Sequence, residues 1–357
     1  MAADWFDRLR TTLDSLGHRT WAWPAGHGRL LVSEYGARLL ACELPPAADN
    51  IFWHNTALES ADTAPQVLAA AGGSIGGDRL WIAPEISFMW PDLQLARQDS
   101  ISTYNLPAAM DPAAWKLRQE GPAHALFATT MRLQDHRFKR SLAIEATRQF
   151  SIIDRPAGIP DDLPCLSFAI ANQITLTQAD PGAVAGGWDL LQVPPTGTLI
   201  CPTVTPVPSP RSYFNPFGPR HVQSSPHAVR FLIDGRRRIK MGLLAEQTTG
   251  RMAYYRALAQ GQSSLIVRIF APQPGEPYAD LPLDTTELLG GDTLQAYNDD
   301  GSFGGFGEME YHDPALIAGK GPQQRRGACV THILAGPDEA VRLAGHTLLG
   351  VPIEPIA

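Results

Sequence analysis

The chain has 357 residues, among them 32 Gly and 31 Pro, and 44% are hydrophobic against 18% charged. Average proteins carry roughly 7% Gly and 5% Pro, so this surplus predicts many short elements joined by turns and excludes a bundle of long helices. The hydrophobic fraction excludes a disordered chain, and a net charge of −7 excludes the basic stripe of a nucleic-acid-binding surface.

In chain order, the N-terminus is acidic and lacks the apolar stretch of a secretory signal. Phe6, Leu9, Leu13 and Leu16 recur at three- and four-residue steps and predict a helix within residues 1–17, spanning Asp4 to Leu16 with Gly17 at its C-terminal turn. Arg29–Ser33 and Arg38–Leu44 flank Tyr35-Gly36 and predict a hairpin. Leu126–Leu133 and Phe138–Ile153 predict a second pair, because Leu142, Ile144, Ala146 and Phe150 share one parity. Further strands are expected at Cys165–Thr177, Trp188–Val193, His227–Ile233, Arg238–Leu243, Ser263–Phe270, Phe306–His312 and Cys329–Leu334. A last helix, Pro337 to Leu349, opens on Pro followed by Asp338 and Glu339.

The reading is all-β: one large antiparallel body, a single domain over residues 1–357, with short terminal helices. Long Ala-, Pro- or Gly-rich loops at 57–76, 154–164, 202–226 and 271–284 are expected to form functional rims. Cys42, Cys165, Cys201 and Cys329 form no close pair, which argues for buried thiols and neither a zinc cassette nor a disulfide framework. No apolar run approaches the roughly 18 residues of a membrane span. The expectation is a soluble, cytoplasmic protein with no nucleic-acid or membrane partner.

Three clusters carry the chemistry. In Gly304–Pro314, a strand at 306–312 sets Glu308, Glu310 and His312 on one face. Such a face suits acid–base catalysis or a metal ion, or is simply the solvated side of a strand whose Met309 and Tyr311 pack inward. Gly76–Glu85 places Arg79, Trp81 and Glu85 beside two glycines. Arg supplies a rigid fork of donors and Trp an apolar face that fits a sugar ring, with His54 and Trp90 near enough in sequence to extend the wall. The alternative there is an Arg–Glu pair pinning a loop over a core Trp. In Arg238–Gly242, Arg238 and Lys240 share a face, presented either to a ligand or to solvent. Gly72-Gly73-Ser74-Ile75-Gly76 fits a nucleophile elbow but lacks the strand–turn–helix context.

Gly77-Asp78-Arg79-Leu80-Trp81-Ile82-Ala83-Pro84-Glu85 resembles a signature of uncharacterised aldose-1-epimerase-like proteins of the galactose mutarotase-like superfamily. Trp188–Pro194, Arg238–Leu243 with Tyr254-Tyr255, Gly307–Glu310 and Cys329–Leu334 are similar to later markers of the same group, in order. The resemblance implies an antiparallel β-supersandwich with a concave sugar-binding face. It implies that Glu310 takes the proton from the anomeric hydroxyl, and that Arg79 binds sugar hydroxyls or a charged substituent. It also implies a His on a central strand as general acid, yet Phe168–Leu176 holds none. His54, His312 or Lys240 would then have to supply the proton.

The expected ligand is a carbohydrate in a cleft lined by His54, Arg79, Trp81, Glu85, Trp188, Gln192, Lys240, Glu308, Glu310 and His312. Glu310 is the expected base, with His312 or Glu308 as its partner, and no cofactor is called for. A non-catalytic sugar-binding module and a glycoside hydrolase or polysaccharide lyase are the competing readings.

Overall fold

The computed structural model describes residues 4–70 and 74–356. The sequence alternates along many short strands, and each strand must bury at least one face. Two ten-stranded antiparallel sheets achieve this. The first runs, in spatial order, Thr20–Ala25, Gly28–Ser33, Arg38–Glu43, Asp78–Ala83, Val184–Val193, Gly307–His312, Leu294–Asn298, Ile239–Leu243 and Arg211–Ser212, with Leu316–Ile317 added beside Val184–Val193. The second runs Val222–Ser224, Ala228–Ile233, Gly197–Pro202, Arg251–Ala257, Gln262–Phe270, Gln324–Pro337, Cys165–Ala179, Arg140–Ile152, His124–Asp135 and Lys116–Gly121. An all-β sandwich with few short helices is therefore present.

One apolar core fills the space between the sheets. Leu80, Ile82, Leu191, Val193, Met309 and Tyr311 from the first sheet meet Phe150, Ile170, Ile266 and Ile333 from the second. A charged knot interrupts this core. Arg148 and Arg268 of the second sheet pair with Asp78 and Asp189 of the first, with Arg148–Asp189 at 2.8 Å and Arg268–Asp78 at 2.9 Å. Two cations meet two carboxylates, so the buried charges balance. Burial raises Asp78, whereas the two guanidiniums outweigh burial at Asp189 and hold it low.

The terminal helices form as expected. Trp5–Ser15 is capped by Asp4, whose carboxylate accepts from the Asp7 N–H, and it packs Phe6, Leu9 and Leu13 on Leu31, Leu40 and Ala41. Residues 1–3 of that expected helix lie outside the described residues. The last helix, Asp338–Leu349, lays Val341, Ala344 and Leu348 on Ala253, Leu265 and Val267 of the second sheet. The four cysteines are buried and unpaired. Among the described residues no helix is long and apolar enough to cross a membrane.

Strand parity decides which side chains reach the site. In Asp78–Ala83, Asp78, Leu80 and Ile82 face the second sheet, so Arg79 and Trp81 face away from it. Antiparallel register carries that face across the sheet. Trp81 lies opposite Trp188 and Trp188 opposite His312. Leu190 stands between Arg79 and Glu310, and Glu308 is opposite both Gln192 and Tyr297. Lys240 is opposite Tyr297 on the next strand. The outer face of the first sheet thus gathers residues from five strands.

Candidate functional site

The solvated-face alternative for the Glu308 strand is overturned, because Glu308, Glu310 and His312 are 6%, 0% and 3% exposed. Lys240 and Arg238 are buried as well. Loops cover this face and leave a narrow pocket with a cavity volume of about 40 Å³. Its walls are Arg79, Trp81, Glu85, Trp188, Lys240 and Glu308 from the sheet and its margin, with Tyr104, Phe214, Arg238, Tyr297, Phe303 and Phe306 around them.

Glu85 and Glu308 are the carboxylates that reach this space, and a guanidinium holds Glu308. Its Oε1 accepts from Arg79 Nη2 at 2.5 Å and from Gln192 Nε2 at 3.2 Å. No described residue donates to its Oε2. Arg79 stacks its guanidinium on the Trp81 ring at 4.2 Å, and its Nε and Nη1 are buried without a partner. A buried, unsatisfied guanidinium edge beside a pocket is where an acceptor on a ligand would relieve a desolvation cost.

Behind Glu308 lies a second charge centre around Lys240. Its Nζ stands 3.0 Å from Glu310 Oε2, 3.5 Å from Glu85 Oε2 and 3.7 Å from Asp280 Oδ2, and 4.4 Å from the Trp188 ring centroid. Trp188 Nε1 donates to the same Glu310 oxygen at 2.8 Å. One ammonium among three carboxyls leaves negative charge uncompensated. Burial pushes Glu310 up to about 8 against the pull of Lys240, and the charge of Glu308 adds to the rise. Glu85 is pushed up to about 7, again chiefly by burial. Burial alone would lower Lys240, but Glu310, Glu85 and Asp280 reverse that and raise it.

The expected site residues therefore separate into three groups. Arg79, Trp81, Glu85, Trp188, Lys240 and Glu308 are pocket walls. Gln192, Glu310 and His312 sit on the same face beneath them without forming the wall. His312 stacks on Trp188 at 5.3 Å, both its ring nitrogens lack partners, and burial with Lys240 nearby drives it well below its ordinary range. That environment favours a neutral ring and makes His312 a poor proton donor.

His54 lies elsewhere, which corrects its expected place in the cleft. Asn50 Nδ2 donates to its Nδ1 at 3.0 Å, so Nε2 carries the proton given to Glu59 at 3.0 Å. Its backbone bridges to Gly76, where a Cβ would fall 2.4 Å from His54 Cα; only Gly fits there.

Residues that sequence reasoning missed came mostly from the loops: Phe214 and Asp280 lie in two of the expected rims, and Tyr104 and Phe303 in segments without periodicity. Phe306 stands at the head of the expected 306–312 strand, and Tyr297 on Leu294–Asn298, a strand that no alternation marks. Tyr104 and Phe303 meet at 5.5 Å and close the pocket from opposite loops. The strand 168–176 belongs to the second sheet, where Asn172 Nδ2 donates to Asp189 Oδ2 at 2.8 Å, so no acid could reach the pocket from it. Ser74 Oγ donates to Phe303 O at 2.6 Å and a strand follows it, so the elbow is absent; Gly72 and Gly73 lie outside the described residues. Among the described residues no three His, Cys, Asp or Glu side chains are grouped to hold a metal ion.

The model of a family of unknown function, DUF6786, matches residues 25–357. The chain belongs to DUF6786. The fold of this DUF6786 chain is also that of a solved putative aldose 1-epimerase from Escherichia coli K12, with 9% identity, 90% of this chain and 99% of the other covered, and a TM-score of 0.50. A galactose mutarotase-like protein from Lactobacillus casei overlays at 8% identity over 88% of this chain and 100% of its own, with a TM-score of 0.46. No curated protein matches the sequence.

Proposed function

We propose that this domain binds a carbohydrate in the pocket and interconverts the anomers of an aldose by acid–base catalysis, with Glu308 as the base. The observation that carries the reading is the state of Glu308: one oxygen is held by Arg79 and Gln192, while the other is free of donors at a pocket walled by Trp81 and Trp188. Indole faces match the apolar C–H face of a pyranose, and the guanidinium supplies hydroxyl or carboxylate recognition. The shared fold makes the proposal reasonable but does not carry it, since fold and function separate readily. The role that resemblance gave Glu310 passes to Glu308, because Glu310 is wholly buried under Lys240 and Trp188.

The test is the equilibration of freshly dissolved aldohexoses, followed by polarimetry, together with quenching of tryptophan fluorescence by the same sugars. The expected outcome is saturable quenching and a rate above the buffer rate. A second reading, sugar binding without turnover, is favoured by the lack of any His in the pocket wall; quenching with no rate acceleration selects it. Cleavage of a glycosidic bond by a Glu308/Glu310 pair has less support, since only Glu308 of the two reaches the pocket.

A further inference from the structure

Opening a pyranose ring needs two proton movements at once. A base takes the proton of the anomeric hydroxyl, and an acid gives one to the ring oxygen as the C–O bond breaks. Glu308 can serve the first role, and the structure offers no histidine for the second. The search for a donor narrows quickly. Lys240 is committed to three carboxyls, Glu310 has no exposed atom surface to speak of, and His312 lies behind Trp188. Glu85 remains. It stands at the pocket wall, just past the end of the Asp78–Ala83 strand, on the Lys240 side. Its backbone N–H donates to Asp280 Oδ1 at 2.7 Å, which fixes its position.

We propose that Glu85 is the general acid of this site, set at the pocket wall by Asp280, which accepts from its backbone N–H, and by Lys240 beside its carboxyl. The assignment rests on reading the pocket as an aldose-converting site. Ring opening then balances as follows. Glu308 accepts the anomeric O–H proton, the ring C–O pair moves to the ring oxygen, and that oxygen takes the Glu85 proton. The open aldehyde rotates about its C1–C2 bond. Closure on the other face returns the ring proton to Glu85 and the Glu308 proton to the new anomeric oxygen.

The electrostatics of the cluster fit this role. Glu85 faces Lys240 and Arg238, which favour its anion, and Asp280 and Glu308, which oppose it, while its own charge raises Glu310. Tyr104 feels the charge of Glu85 from the loop side, and Asp292 stands near Asp280 and Lys240. Burial with these two acidic neighbours prevails, and the group is pushed up to about 7, where a proton is both held and transferable.

The experiment compares the wild type, Glu85→Gln and Glu85→Asp on a panel of aldohexoses and hexuronic acids. It reads the pH profile of kcat by anomer-resolved NMR, sugar affinity by tryptophan fluorescence, and folding by circular dichroism. Expected is a wild-type kcat that falls on the alkaline side. Glu85→Gln should lose about 100-fold or more in kcat and lack that alkaline limb, with affinity changed less than about threefold. Glu85→Asp, which keeps the acid, should recover part of the rate and the limb. An active wild type whose Glu85→Gln variant keeps both rate and limb overturns the assignment alone. A wild type inert toward every sugar overturns the reading of the site, and the assignment with it.

Discussion

Arg79 Nη2 and Glu308 Oε1 lie 2.5 Å apart although 229 residues separate them in the chain. The pair joins two strands that never touch, since Val184–Val193 runs between them. Both groups are almost fully buried and both keep polar atoms unused by the protein. A fixed carboxylate with one free oxygen is what a general base requires, and the guanidinium that fixes it still has donors to offer a ligand.

Arg79→Lys should therefore impair turnover more than a change of equal charge suggests. Lysine cannot reproduce the fork or stack on Trp81 in the same way. Loss of one charge-assisted hydrogen bond, about 1.5–3 kcal/mol, predicts kcat lowered by roughly 10- to 100-fold. Steady-state mutarotation rates check this, and an unchanged kcat contradicts the role.

Lys240→Met should be among the most destabilising single changes at the site. It leaves Glu85, Asp280 and Glu310 facing one another without their ammonium. Removing one partner of a buried ion pair costs about 3–5 kcal/mol. Urea unfolding followed by circular dichroism measures the loss. A change below about 1 kcal/mol would show that the cluster is not held by charge.

Stability should fall as pH rises, through Glu310. Its folded carboxyl is raised from 4.5 to about 8, so the native chain keeps a proton that the unfolded chain has released. The folded state binds more protons across that window, and stability declines as pH climbs through it. Glu310→Gln stays neutral throughout. Its melting temperature should vary less between about pH 5 and about pH 8 than that of the wild type. A parallel curve would contradict the raised carboxyl.

His54→Ala tests the boundary of the site. The ring bonds to Asn50 and Glu59 and stacks against Trp5 at 5.8 Å, away from the pocket wall. The variant should melt lower and bind sugar with unchanged affinity. Loss of binding in a folded variant would move the site.

Local physics made much of this legible in sequence. Alternation places Glu308, Glu310 and His312 on one face, and nearness in sequence groups Arg79 with Trp81 and Glu85. Apolar spacing from Phe6 to Leu16 marks the first helix, and Pro337 followed by Asp338 and Glu339 marks the last. A strand such as Gly197–Pro202, buried along its whole length, shows no alternation to read, and Arg251–Ala257 is marked only by its two tyrosines. The depth ordering within the Glu308 face was also hidden. Equal spacing says nothing of which carboxylate a neighbouring strand will cover, and Lys240 and Trp188 cover Glu310 from two sides. Asp280, 195 residues from Glu85, joins the cluster through a loop whose path no periodicity announces.

The most direct test is exchange NMR on the anomeric protons of aldohexoses with the wild type and Glu308→Gln. The account predicts α/β exchange faster than in buffer with the wild type, and a loss of about 10² to 10⁴-fold in Glu308→Gln with the fold intact. Equal exchange in both proteins would contradict Glu308 as the base.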